Sequence, residues 1–113
     1  MKQNNPLFKG SLSTIILKLL GEEPRMYGYE IMKKVKELSG DDLSLTEGAL
    51  YPALHKLEAD GHITATLEQV DNRLRKYYSL TPSGKTEAAN KLNELQEFFG
   101  QLQAVLQLKL SNN

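Results

Sequence analysis

The sequence predicts a mostly α domain in which three helices precede one β-hairpin and a single long helix follows it. Three observations carry this. Apolar residues recur at helical spacing over residues 12–20, 27–38, 44–61 and 88–106. Between residues 63 and 80 the period drops to two and is broken by Asp71-Asn72. Gly, Ser, Thr or Pro stands at nearly every junction. A chain of 113 residues has room for one modest core.

The first helix follows Gly10-Ser11, carries Leu12, Ile15, Ile16, Leu19 and Leu20, and is closed by Gly21 and Pro24. Tyr27, Ile31, Val35 and Leu38 form the apolar stripe of the second, which Ser39-Gly40 ends. Lys33, Lys34 and Lys36 decorate its solvated sides. After the short polar connection Gly40-Asp41-Asp42 comes a third helix of unusual composition. Ser44 and Glu47 are spaced as a capping box, and Gly61 is placed as a left-handed C-terminal cap. At about 100° per residue, Leu50, Leu54 and Leu57 share one stripe. The opposite stripe holds Gly48, Pro52, His55 and Ala59, flanked by Tyr51 and Lys56. A solvated face would be rich in Glu and Lys. This one is small and knobbly, as a helix pressed against another surface would be. Two helices joined this way form a helix-turn-helix pattern.

In the hairpin, Ile63, Ala65 and Leu67 alternate with threonines. The return strand, Leu74 to Leu80, turns Tyr78 and Leu80 inward and Arg75, Tyr77 and Ser79 outward. Arg73, Arg75 and Lys76 make its tip too basic for a mere connector, but suited to lie along a phosphate backbone as a wing. Thr81 caps the last helix, with Pro82 in its first turn. Ala88, Leu92, Leu95, Phe99, Leu102 and Leu106 step alternately by four and three, a heptad seam widened by Phe98 and Val105. Continued to Leu110, this helix would be roughly 40 Å long, more than one small core can cover. The far half therefore calls for a second copy of the chain, and Leu92, Leu95, Phe99, Leu102, Val105 and Leu106 are the expected dimer contacts. The division expected is a DNA-binding body over residues 1–81 and a dimerisation helix with its tail over 82–113.

Composition narrows the function. Lys plus Arg equals Asp plus Glu at 14 each, but the charges are segregated. Residues 72–91 hold Arg73, Arg75, Lys76, Lys85 and Lys91 against Glu87 alone. Residues 40–71 hold Lys56 against seven acids, Asp41, Asp42, Glu47, Glu58, Asp60, Glu68 and Asp71. Local fields steer polyanions more than totals do. No cysteine is present, which removes disulfides, thiolate metal sites and a cysteine nucleophile. The two histidines, His55 and His62, lie seven apart with no third ligand type beside them, so no metal is expected. No glycine-rich phosphate loop follows a strand, and no nucleophile has a positioned base. The reading is a non-enzyme without cofactor. No stretch has membrane-spanning length or a signal-peptide pattern, so a cytoplasmic location with no membrane partner is expected.

Four ordered blocks carry a resemblance. They are Tyr27-Gly28-Tyr29-Glu30-Ile31, Glu47-Gly48-Ala49-Leu50-Tyr51-Pro52-Ala53-Leu54, Leu57-Glu58-Ala59-Asp60-Gly61, and Arg75-Lys76-Tyr77-Tyr78-Ser79-Leu80-Thr81-Pro82-Ser83-Gly84. Over about residues 10–85 the chain resembles the PadR family of bacterial transcriptional regulators, in its short subfamily with one C-terminal helix. The resemblance implies a winged helix-turn-helix homodimer that represses transcription and releases DNA when a small molecule binds. Some short members stack a flat ligand on tryptophan at the dimer interface. This chain has no tryptophan, and Phe98, Phe99 and Leu102 are the candidates for holding a flat hydrophobic or phenolic ligand.

The expected partner is double-stranded DNA, read as an inverted repeat by a two-fold dimer. The candidate DNA-binding residues are Ser44, Thr46, Gly48, Tyr51, Pro52, His55 and Lys56 with Arg73, Arg75 and Lys76 of the hairpin. Gly48 lets a backbone come close, Pro52 offers an apolar surface to a thymine methyl, and the remainder donate to phosphates or base edges. A competing reading keeps the fold but makes it a protein-interaction module, with acidic residues 40–71 holding a basic partner. That reading predicts no salt-dependent affinity for duplex DNA and leaves the basic hairpin tip unused.

Overall fold

The computed structural model describes residues 5–109. Its elements run α1 (Pro6–Gly10), α2 (Leu12–Glu22), β1 (Met26–Tyr27), α3 (Gly28–Leu38), α4 (Glu47–Ala59), β2 (Ile63–Val70), β3 (Arg73–Leu80) and α5 (Pro82–Leu106). The predicted helices and hairpin are present, joined by two elements the periodicity did not reveal. The first is α1, a single turn capped by the Asn5 side chain, which accepts from the Leu7 N–H at 2.8 Å, with Pro6 in its first turn. It has one apolar anchor, Phe8, so no period could announce it. The second is β1, two residues long, which pairs antiparallel with β3 through Met26↔Tyr78 and Tyr27↔Tyr77. The sheet therefore has three strands in the order β1-β3-β2.

This strand corrects the expected second helix. Tyr27 is extended, with φ −99° and ψ 169°, and α3 starts one residue later, where the Glu30 carboxylate accepts from the Tyr27 N–H at 3.1 Å. Pairing with Tyr77 holds Tyr27 off the helix stripe. At the other end Leu38 is 68% exposed, because α3 outruns the core it packs on. The start of α4 is corrected too. Thr46 is the cap, its Oγ1 accepting from the Ala49 N–H at 3.2 Å, while Leu45, between Ser44 and Thr46, is buried. At the far end Gly61 (φ +82°) takes the left-handed position, and the Gly61 and His62 N–H groups return to the carbonyls of Glu58 and Leu57, each at 3.0 Å.

The core is built from Ile16 and Leu17 of α2, Ile31 of α3, Leu50 and Leu54 of α4 and Tyr78 of β3. Burial pushes the Tyr78 phenol above its ordinary pKa. The hairpin turns on Asp71 (φ 52°) and Asn72 (φ 62°), two left-handed residues that match the strand twist. Its register runs from Ile63↔Leu80 to Val70↔Arg73. Inner-face residues lose cover along it: Ile63 is buried, while Leu67 and Leu74 are 63% and 68% exposed. The distal hairpin thus projects from the body as a wing. Tyr77 faces outward as expected, yet it is buried, because Arg25 and Tyr27 cover it.

Thr81 caps α5, its Oγ1 accepting from the Gly84 N–H at 3.0 Å and donating to the Gly61 carbonyl at 2.7 Å. Gly84 is buried at this corner. A Cβ there would overlap the His62 carbonyl oxygen and lie 2.9 Å from its carbon. The helix ends at Leu106, with Gln107 left-handed (φ 56°). The helix therefore stops short of the expected continuation to Leu110: residues 107–109 are already non-helical, and Leu110 itself lies outside the described residues. Along the seam, Ala88, Leu92, Leu95 and Leu102 are half-buried, with α5 packing against α2. Phe98 (52%), Phe99 (57%), Val105 (76%) and Leu106 (55%) stand exposed.

Candidate nucleic-acid interface

The two faces of α4 divide sharply. Leu50, Leu54 and Leu57 are buried beneath it, and Gly48, Pro52, His55 and Ala59 form an exposed outer ridge. Nothing within the chain requires glycine at position 48. A Cβ there would meet only Thr46 Oγ1, at 4.0 Å. A glycine inside a helix costs roughly 0.5–1 kcal/mol relative to alanine. Pro52, in the same helix, has no N–H to offer the Gly48 carbonyl. Both residues weaken α4, and both are exposed on its outer ridge.

Tyr51 is the counter-case. It is half-buried against the start of α3, where a Cβ on residue 28 would overlap its hydroxyl and lie 2.9 Å from its Cζ. Gly28 is therefore glycine for packing, and Tyr51 ties α4 to α3 while its hydroxyl reaches the edge of a cleft. That cleft, of about 330 Å³, lies between α4 and the wing. It is lined by Tyr51 and His55 on one side and by Leu74, Arg75 and Lys76 on the other, with Tyr27, Gly28 and Tyr78 at its base. Four of the ten sequence-derived candidates therefore share one cavity.

Of the other six, Thr46, Gly48, Pro52 and Lys56 border a second depression on the other flank of α4, and Ser44 and Arg73 lie apart from both. Thr46 is occupied as the helix cap. Ser44 precedes the helix and is half-buried. Lys56 sits on the opposite flank of α4, its Nζ 3.4 Å from Asp60 Oδ2 in an exposed pair. Arg73 is exposed at the start of β3. His62, at the α4–β2 corner, holds its Nδ1 3.0 Å from Ser83 Oγ and so belongs to the joint with α5.

The wing cations are not all loose. The Arg75 guanidinium lies 4.4 Å from the centre of the Tyr27 ring, and Arg25 lies 4.0 Å above Tyr77 and pairs with Glu68 on β2. Tyr27 and Tyr77 meet edge to face at 5.4 Å. This alternation of cations and rings braces the outer face of the sheet and pre-orients Arg75. The sequence reading missed Arg25 and Tyr27. The signal was Arg25-x-Tyr27 set against Arg75-x-Tyr77, two matched i, i+2 pairs that only strand pairing brings together.

On α5 the ligand candidates Phe98 and Phe99 are exposed and Leu102 is half-buried. Leu95 and Phe98 also border a small cleft against Gly10, Ser11 and Thr14 at the α1–α2 corner. Among the described residues no group of three or more His, Cys, Asp or Glu is placed to hold a metal ion, and no helix is long and apolar enough to cross a membrane.

Comparison with known proteins places this geometry. The profile of the transcriptional regulator PadR-like family matches residues 16–90. A transcriptional regulator of Mycobacterium tuberculosis is 43% identical over 63 residues, which is 53% of this chain and 59% of that protein. The match therefore spans less than two thirds of that relative. Among solved structures, a transcriptional regulator from Clostridium thermocellum superposes with a TM-score of 0.78 at 30% identity, covering 91% of this chain and 96% of that one. A PadR-like transcription factor from Bacteroides fragilis gives 0.74 at 29% identity, covering 88% and 94%.

Proposed function

This chain belongs to the PadR-like family of transcriptional regulators, and from that premise we propose that it is a homodimeric repressor that binds an inverted-repeat operator and responds to a small ligand. The observation that carries the reading is the outer ridge of α4. Gly48 and Pro52 each cost the helix stability, no contact within the chain requires glycine at position 48, and both stand exposed on the ridge between the wing cleft and a depression bordered by Lys9 and Lys56. A major groove admits a helix, and a glycine on the leading ridge lets the backbone approach base edges. Arg73, Arg75 and Lys76 follow the adjacent phosphates. This basic wing is what favours DNA over a basic protein as the partner.

The dimer follows from the apolar side chains left open on α5. Covering what remains open of Phe98, Phe99, Val105 and Leu106 contributes roughly 1–2 kcal/mol each, and a two-fold copy covers them with their own equivalents. Two reading helices set about 34 Å apart, or a multiple of it, then face successive turns of one side of the duplex. A flat apolar or phenolic ligand among Phe98, Phe99 and Leu102 would alter the spacing of the two helices and so favour a state that does not fit DNA.

The test is a gel shift of the purified chain on DNA upstream of its own coding region and neighbouring transcripts. The expected result is one salt-sensitive complex on a segment containing an inverted repeat. Absence of any sequence-selective, salt-sensitive complex across that DNA overturns the reading.

A further inference from the structure

We infer that the corner between α1 and α2 forms a second seat for the DNA backbone, on the flank of α4 opposite the wing, with Lys9 and Ser13 contacting phosphate. The inference rests on α4 being the helix that enters the major groove. At about 100° per residue, Tyr51 and His55 fall on one side of the outer ridge, and Ala49, Ala53 and Lys56 on the other. Both flanks open into depressions. The first is the wing cleft described above. The second measures about 630 Å³ and runs between α4 and the α1–α2 corner, bordered by Lys9 and Ser13 on one side and by Thr46, Gly48, Pro52 and Lys56 on the other, with the buried Leu12 and half-buried Ala53 between them.

Charge identifies the occupant. No carboxylate lines either depression beside α4, although the chain carries 14 Asp and Glu. Depressions elsewhere on the surface are bordered by Glu30 and Glu37, by Glu22 and Glu23, or by Glu94. A B-DNA major groove is about 12 Å wide and walled on both sides by a phosphate backbone. A helix lying in it therefore has phosphates on two flanks, and the wing serves only one of them. Among the described residues Lys9 makes no ion pair, unlike Lys56 across the depression, which pairs with Asp60. The backbone that carries Lys9 is nonetheless fixed, since Phe8 and Leu12 on either side of it are buried. A placed but uncommitted cation, with a half-buried hydroxyl from Ser13 beside it, suits a phosphate whose position the groove sets.

The experiment needs no operator, because a phosphate contact acts on any sequence. Fluorescence anisotropy of the full chain on a random-sequence duplex of about 30 base pairs, between about 50 and 200 mM salt, reads the slope of log K against log salt. Lys9→Gln is expected to make the slope shallower by about 0.9 per bound subunit and to weaken binding about eightfold per subunit at 0.1 M salt. Lys9→Arg should keep the wild-type slope, and the melting temperature should not move. The loss should be equal on a specific site once one is found. Arg75→Ala is run beside it. If Arg75→Ala flattens the slope and Lys9→Gln does not, the second seat is wrong and the wing reading stands. A loss of affinity with an unchanged slope also overturns the seat. If wild-type binding shows no salt dependence, both readings fall together.

Discussion

The helices α4 and α5 dispose of their side chains in opposite ways. Along α4 the large apolar residues are covered within the chain, and the outer ridge holds glycine, proline, alanine and a histidine, with Glu47 and Lys56 also exposed. Along α5 the outside is where the large apolar residues are, with Phe98, Phe99 and Val105 more than half exposed. A helix whose open face is small and flanked by cations is finished as a fold, and under the proposed function that face meets the polyanion. A helix whose open face is phenylalanine and valine is unfinished, since such a face gains free energy only by meeting another apolar surface. One chain thus carries two kinds of incompleteness. They predict different responses to charge.

Phe99→Asp should have the largest effect. Phe99 is 57% exposed, so the single chain tolerates the change, but two copies lose the burial that the dimer adds, about 2–3 kcal/mol, and each leaves a carboxylate against an apolar surface. Dimerisation should weaken by about 10² to 10⁴-fold, and operator binding at submicromolar protein should disappear with it. Light scattering across a concentration series checks this. A variant that remains dimeric would place the interface elsewhere and break the contrast between the helices.

Next comes Gly48→Glu, which puts a carboxylate on the outer ridge of α4 and leaves the leucines beneath untouched. The variant should fold and dimerise like wild type while its operator affinity falls by about 10³-fold, towards that for random duplex. Affinity near the wild-type value would mean that the ridge is not the reading face.

Gly84→Ala probes the joint between the two regions. The new methyl would strike the His62 backbone, which has no freedom to retreat while Thr81 Oγ1 donates to Gly61 and the Thr81 N–H bonds the His62 carbonyl. Overpacking of this kind costs about 1–3 kcal/mol, read as a lower midpoint in urea. No loss of stability would show that the corner is looser than its hydrogen bonds suggest. Arg75→Ala should be the mildest. It removes one phosphate contact per subunit, flattening the salt slope by about 0.9, and it leaves dimerisation unchanged.

Much of the architecture was legible because its signals are local. Asp71-Asn72 announced a turn that both residues make with positive φ. Thr81-Pro82 announced the start of α5, and Gly61 the end of α4, because capping involves groups only a few residues apart. The leucine stripe of α4 and the heptad seam of α5 were equally visible as periods. Elements with no period of their own escaped. In β1 only two residues are in the strand, and their partners are Tyr77 and Tyr78, some fifty residues downstream. Four of the candidate DNA-binding residues came together in one cleft, but the cap assigned to Ser44 on its spacing to Glu47 belongs to Thr46. Ser44 and Thr46 are each followed three residues later by a helix-compatible position. The choice of Thr46 goes with the burial of Leu45 in the core.

By itself, then, the sequence determined the elements whose ends are capped, the apolar faces of α2 and α4 and the presence of a basic hairpin, since each depends on neighbours within a turn or two of the chain. Only the tertiary structure decided which cations face which partner. Arg75 lies against Tyr27, Arg25 covers Tyr77, and Lys9 comes to stand across a groove from Lys56. It also decided where the core stops, leaving Leu38, Leu74 and Phe99 uncovered while Leu92 and Leu95 are half-covered. The reason is physical: burial and charge pairing depend on distance in space, and a period along one helix carries no record of how far the neighbouring element extends.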